Sequence, residues 1–475
     1  MLFNSFEYLV FLPVVFSVYW SLQGKKLTFQ NLLLLICSYI FYAFWDWRFL
    51  FLLMFSTGLD YLAGLMIHRS KTILLKRTWL WITISVNVGF LGVFKYYNFF
   101  VDSFASLLSN FGIQAHFSTL QVILPVGISF YTFHGLSYVI DCYYDRIKPE
   151  RNFISYGLFV SYFPLLVAGP IERATHLLPQ IKVKRYFDYD KAIQGTKQIV
   201  LGLFKKIVIA DNCAFFVDQI FSNSADHSAT TLWMGSILFA FQIYGDFSGY
   251  SDIALGTSRL FGIELLRNFN FPYFSKDIAD FWRRWHISLS TWFRDYLYIP
   301  LGGSKQGKWI SVRNTFVIFL VSGFWHGANW TFIVWGGIHA LLFLPLLLTN
   351  SNRKFIGNDS YHVKDFFRII YTFLMVCIAW VFFRADHVGE AINYVLGMFD
   401  FSFSTSNFFI KNSKYILLSI ICLISIVTLL IIEWKNVSKN RYEVMLNNKT
   451  VGLLIFMIFY MGAFKNQMSF IYFQF

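Results

Sequence analysis

Long apolar runs organise this chain. They cover roughly residues 5–22, 30–46, 49–67, 79–100, 119–141, 152–169, 203–221, 230–250, 314–327, 329–348, 366–383, 413–432 and 451–468. Most come near the ~20 residues an α-helix needs to cross a bilayer. A membrane β-barrel would instead alternate apolar and polar positions over ~10-residue strands. The pattern therefore predicts an all-α, polytopic helical membrane protein. It implies about 11–12 transmembrane helices plus re-entrant or interfacial ones. Segment 152–169 is the exception among the runs. It is short, carries Pro164 and ends in Gly169-Pro170, so it is expected to enter the membrane and return, or to lie in the interface. Irregular backbone at that depth is tolerated only inside protein or beside water.

The polar positions between the runs give orientation. Lys25 and Lys26, then Arg69, Lys71, Lys76 and Arg77, then Arg146, Lys148 and Arg151 follow alternate runs. Short loops rich in Lys and Arg stay in the cytoplasm. The intervening stretches 101–118 and 222–231 contain neither residue and are expected outside, as is the N-terminus. No basic region and no small-residue cleavage site precede the first run, so it reads as a retained helix rather than a signal peptide. Two basic stretches, 146–206 and 256–313, fall on the cytoplasmic side. The second is too long for a connector.

Composition closes off other classes. Hydrophobic residues make up 56% of the 475 and charged residues 14%, against about 25% charged in soluble domains. The net charge of +14 reads as the positive-inside bias, not as a nucleic-acid surface. The five cysteines are scattered and form no CxxC pair, so neither a disulfide framework nor a cysteine metal site is expected. No repeat and no pair of related halves is visible, which weighs against the commonest transporter designs.

Three stretches carry chemistry. In Asp277–Pro300 the apolar residues Ile278, Phe281, Trp282, Trp285, Leu289, Trp292, Phe293 and Tyr296 share one helical face. This predicts an amphipathic helix at the interface, with His286 at the edge of its apolar face. In residues 319–342, His326 stands in a Trp-His-Gly triplet within an apolar region. An ionisable residue there is costly and is a functional hypothesis by default. A neutral imidazole is a natural general base, because its ordinary pKa is near 6.5. A packed, hydrogen-bonded histidine is the plain alternative for both, and for His339 it is the favoured one. In Gln242–Tyr273, Asp246 and Asp252 lie near Gly245, Gly249 and Gly256, glycines that read as helix interruptions. These carboxylates could orient a histidine, hold a cation or close a helix end. Two carboxylates without a third ligand predict no metal. No phosphate loop, GxSxG elbow or GxGxxG fingerprint appears.

Taken together, the blocks MLFNSFEYLVFLPVVFSVYW, QIYGDFSGYSDIALG, NFNFPYFSKDIADFWRRWHISLSTWFRDYLYIPLGG, SGFWHGANWTFIVWGGIHAL, VFFRA at 381–385 and the closing FIYFQF resemble the membrane-bound O-acyltransferase family. Within it they resemble the branch that O-acetylates bacterial exopolysaccharide. The blocks run from end to end, so the resemblance covers residues 1–475 as a single domain, with 256–313 a cytoplasmic-side amphipathic region inside it.

That resemblance implies a helical bundle around a central tunnel, with His326 as principal catalytic histidine and His286 as the second. It implies acetyl-CoA as acyl donor, with no bound cofactor. Arg283, Arg284, Lys305 and Lys308 are candidates for its phosphates, and Asp246, Asp252 and His339 are candidate supporting polar residues. Implied partners are the lipid bilayer, a polysaccharide acceptor such as alginate and an extracytoplasmic acetyl-accepting protein, contacted through outer loops and the C-terminal tail. The implied place is the bacterial cytoplasmic (inner) membrane. Peptidoglycan O-acetylation and D-alanyl transfer to teichoic acid are alternatives on the same scaffold. A transporter or flippase is the remote one.

Overall fold

The computed structural model describes residues 1–113, 119–120, 123–166, 169–357, 361–400, 408–439, 441, 444–464 and 470–471. Every regular element among them is helical. Among the described residues, six helices are long and apolar enough to cross a membrane: Leu27–Asp46, Arg48–Arg69, Ile73–Asn110, Trp330–Leu348, Val363–Arg384 and Ser413–Val437. This is fewer than the 11–12 expected. The apolar helices Phe6–Ser21 and Asn448–Met461 are only 16 and 14 residues long. A helix rises 1.5 Å per residue, so each falls short of a ~30 Å hydrocarbon core. The Ile73–Asn110 helix also runs through most of the 101–118 stretch expected as a loop, and residues 114–118 lie outside the described residues.

The chain folds as two compact units, one of residues 1–195 with 254–266, the other of residues 196–253 with 267–475. In the first, buried polar side chains tie helices together. Arg185 donates to the Tyr19 hydroxyl at 2.6 Å and to the Asn31 side chain. Asn87 donates to Asp60 at 2.9 Å and accepts from Ser56 at 2.8 Å. Segment 152–169 forms two short buried helices, Phe153–Ser161 and Phe163–Leu166, broken at Tyr162. Together they are too short to span. Residues 167–168 lie outside the described residues.

The second unit carries an apolar core in which Trp285, Trp335 and Trp380 are fully buried. The long helix Ala229–Leu260 is not interrupted at Gly245, Gly249 or Gly256. The glycines serve close approach instead. A Cβ on Gly249 would stand 2.8 Å from the Gly202 carbonyl, and one on Gly245 2.8 Å from the Lys205 carbonyl. Helices approach this closely in membranes through small residues.

Candidate active site

All the principal site residues belong to the second unit. The stretch expected as one amphipathic helix is broken. Asp277 caps Ile278–Arg284, accepting from the Asp280 amide at 2.7 Å. A second helix, Ile287–Phe293, follows, and a wide π-type turn closes the stretch at Arg294–Tyr298. His286 sits at the break with φ 43° and ψ 53°. This left-handed backbone is uncommon outside glycine and costs of order 1–3 kcal/mol. Neighbouring backbone holds it there. The Asn268 carbonyl accepts from the Ile287 amide at 2.9 Å, and the Asn270 amide donates to the Arg284 carbonyl at 2.9 Å. The Asn268 side chain accepts from the Ser288 hydroxyl at 2.6 Å and donates to Ser251 at 3.3 Å. The result turns a residue at the edge of an apolar face into one with no exposure at all.

His326 is the last residue of the helix Lys308–His326, which ends as Gly327 turns extended and donates back to the Gly323 carbonyl. Its ring packs among Trp325, Trp335 and Phe383, with centroids 4.9, 5.2 and 5.4 Å away. The His286 ring lies 6.1 Å from it and 4.6 Å from Phe247. Both imidazoles are buried. Burial pushes the His286 imidazole down from 6.5 to about 3, so it is neutral at physiological pH. Phe247, Trp335 and Phe383 were not singled out in the sequence. Their apolar character gives no sign of a site, although Phe383 lies in the VFFRA block.

The remaining candidates have different surroundings. His339 accepts from the Trp282 indole at 3.3 Å and packs 4.9 Å from Trp335, so Trp335 touches both His326 and His339. Arg284 is buried and donates to Asp280 at 2.9 Å. Arg283 donates to the Asn352 carbonyl at 2.9 Å. Lys305 and Lys308 are exposed.

Asp246 and Asp252 face lysines. Lys206 lies 2.8 Å from Asp211 and 2.9 Å from Asp246, whose other oxygen accepts from the Ile471 amide at 2.7 Å. Lys205 lies 2.8 Å from Asp252 and 3.8 Å from Glu433, and Glu433 accepts from Tyr244 at 2.5 Å. Both lysines are buried in the wide π-type turn Phe204–Ala210. Sequence reasoning missed them, although the rule that marked His326, an ionisable group in an apolar run, applies equally to Lys205-Lys206. Residues 472–475 of the tail, a candidate partner contact, lie outside the described residues.

The family model described as the membrane-bound O-acyltransferase family matches residues 145–384, which include both histidines. A peptidoglycan O-acetyltransferase of Helicobacter pylori is 40% identical over 428 residues, covering 84% of this chain and 80% of the relative. A probable alginate O-acetylase of Pseudomonas aeruginosa is 41% identical over 406 residues, covering 84% and 75%. A teichoic acid D-alanyltransferase of Bacillus subtilis is 29% identical over 284 residues, covering 57% and 71%.

Proposed function

Because the chain belongs to the membrane-bound O-acyltransferase family, we propose that this multi-pass membrane enzyme, an O-acetyltransferase, moves acetyl from cytosolic acetyl-CoA across the bacterial inner membrane for O-acetylation of an exported polysaccharide. The carrying observation is the buried pair His286 and His326, 6.1 Å apart at a helix end. His326 takes the proton of the acceptor hydroxyl as its oxygen attacks the thioester carbonyl. The C–O bond forms and the C–S bond breaks. The departing thiolate recovers the proton from the imidazolium, so an ester and a free thiol result. His286, neutral at this pH, directs an N–H toward the carbonyl oxygen as it gains negative charge.

The distribution of Lys and Arg supports a cytosolic donor. Relatives named for peptidoglycan and for alginate are equally similar, at 40% and 41%, which supports a polysaccharide acceptor; an extracytoplasmic protein that receives or places the acetyl group belongs to the same proposal. Of the candidate donor contacts, exposed Lys305 and Lys308 are better placed to meet phosphates than Arg284, which is buried against Asp280.

The test is His326→Ala in cells. Ester-linked acetate on the exported polymer is measured beside the amount of the variant in membranes. The reading expects normal membrane levels with acetate lost, and unchanged acetate overturns it. Labelled acetyl-CoA supplied to inside-out membrane vesicles tests the donor. Label should reach the acceptor in wild type and not in the variant.

A further inference from the structure

The helices Trp330–Leu348 and Val363–Arg384 hold a second feature, well along each helix from Trp335 and Phe383, the residues that touch His326. It is a cavity of about 440 Å³ lined by Leu342 and Leu346 from the first helix and by Tyr371 and Met375 from the second. Both helices are long and apolar enough to cross a membrane. Leu341 and Tyr371, also in the lining, are 58% and 64% exposed. Exposed apolar side chains on a spanning helix meet acyl chains, so this wall is continuous with a surface suited to lipid.

The other end of the cavity is polar. Lys276 is almost wholly buried, 3.4 Å from Asp365 and 4.5 Å from the centre of the Tyr361 ring. Arg368 lies 2.9 Å from the same carboxylate and keeps about half its side chain exposed. Lys354 is exposed and has no carboxylate partner among the described residues. Asp365 faces both Lys276 and Arg368, while the cation acting on Asp277 is Arg283. Among these described residues positive charge is in excess, at the level where one helix ends and the next begins.

We propose that this cavity binds one anionic phospholipid, its phosphate at Lys354 and Arg368 and an acyl chain along Leu342, Leu346 and Met375. The excess of positive charge suits one phosphodiester. A coenzyme with several phosphates asks for more, and a zwitterionic headgroup brings a second cation to a site already positive. Basic side chains at the membrane surface attract anionic lipid with about 1 kcal/mol each. The wall supplies burial for the chain. The site does not depend on the roles of His286 and His326.

Native mass spectrometry of the purified full-length protein tests this. The protein is exchanged into detergent with equal amounts of phosphatidylglycerol and phosphatidylcholine of identical chains. The expected result is one retained phosphatidylglycerol, preferred at least tenfold. Lys354→Glu with Arg368→Glu should abolish the preference, and Leu342→Trp should reduce retention of both lipids by filling the wall. Should the double variant fail to fold, Lys354→Gln alone, at an exposed position, should cut the preference about fivefold. Equal retention of the two lipids, or an unchanged preference in the charge variants, overturns the proposal. Displacement of the lipid by inorganic phosphate or by acetyl-CoA also overturns it and assigns the cavity to a soluble phosphate.

Discussion

Two of the places where the second unit buries ionisable groups treat them differently. Around the Phe204–Ala210 turn, two ammoniums face four carboxylates, with Lys206 between Asp211 and Asp246 and Lys205 between Asp252 and Glu433. At the end of the Lys308–His326 helix, two imidazoles lie among the rings of Phe247, Trp325, Trp335 and Phe383. The ionic cluster sets each ammonium between two carboxylates at short distance and ties residues 205–211 to Asp246, Asp252, Glu433 and the Ile471 amide. The histidine pair sits where the surroundings are apolar and one backbone is strained. Opposite charges held this close tie structure together. A strained, low-dielectric pair is suited to a proton in motion, because charge there is strongly felt.

The comparison breaks most sharply at His326. His326→Ala should lower acetyl transfer by about 10²–10⁴-fold, the usual contribution of a positioned general base, while thermal unfolding of the purified protein stays close to wild type. Loss of stability in proportion to loss of transfer would put His326 with the structural groups.

Lys206→Met is the converse experiment. It leaves Asp211 and Asp246 buried without their cation, and breaking a buried pair from one side costs about 3–5 kcal/mol. The expected outcome is a large fall in unfolding temperature and membrane yield. Lys206→Met combined with Asp246→Asn should recover part of it. A variant that folds normally but transfers no acetyl would move this cluster into the catalytic machinery.

These two sites also differ in how far the sequence reveals them. The apolar runs locate most helices, because a period and a length are local properties. His326 is legible for the same reason, as one costly group in an apolar run. The break at Trp285-His286 is not. No glycine or proline marks it, and the helical spacing of apolar residues continues from Phe281 to Leu289. Asn268 and Asn270 enforce the break from well upstream in the chain. Gly245 and Gly249 mislead in the opposite direction. They read as interruptions, yet what they permit is contact with the backbone of residues 202–206. Lys205-Lys206 reads as charge at a membrane edge until the carboxylates appear around it. In each case the missing information is tertiary.

Asn268→Ala sharpens the comparison at smaller scale. It removes the acceptor of Ser288 and the donor to Ser251 and leaves the backbone bond to Ile287. Loss of such buried hydrogen bonds costs about 1–3 kcal/mol. As a positioning residue for His286, Asn268 should affect transfer beyond that stability loss, chiefly in kcat rather than KM. Asn268→Asp, which keeps the acceptor, should retain more activity than Asn268→Ala. Equal kcat in the two variants would make Asn268 a purely structural tie.

The smallest effect expected is a pH dependence of stability. Burial holds the His286 imidazole at about 3, below its ordinary 6.5. Between these values the unfolded chain binds a proton that the folded chain does not, so unfolding gains from added protons. The stabilisation is therefore complete above pH 6.5 and is lost progressively as pH falls toward 3. Unfolding temperature should drop between pH 7 and pH 4 in wild type. His286→Asn keeps a polar side chain that tolerates the left-handed backbone but has no ionisable ring, and its drop over the same range should be shallower. The ionic cluster around Lys205 and Lys206 is unchanged in this variant, so any difference between the two curves belongs to the histidine. Superimposable curves would mean that His286 takes up its proton in the folded protein, and the neutral role assigned to it in transfer would then fail.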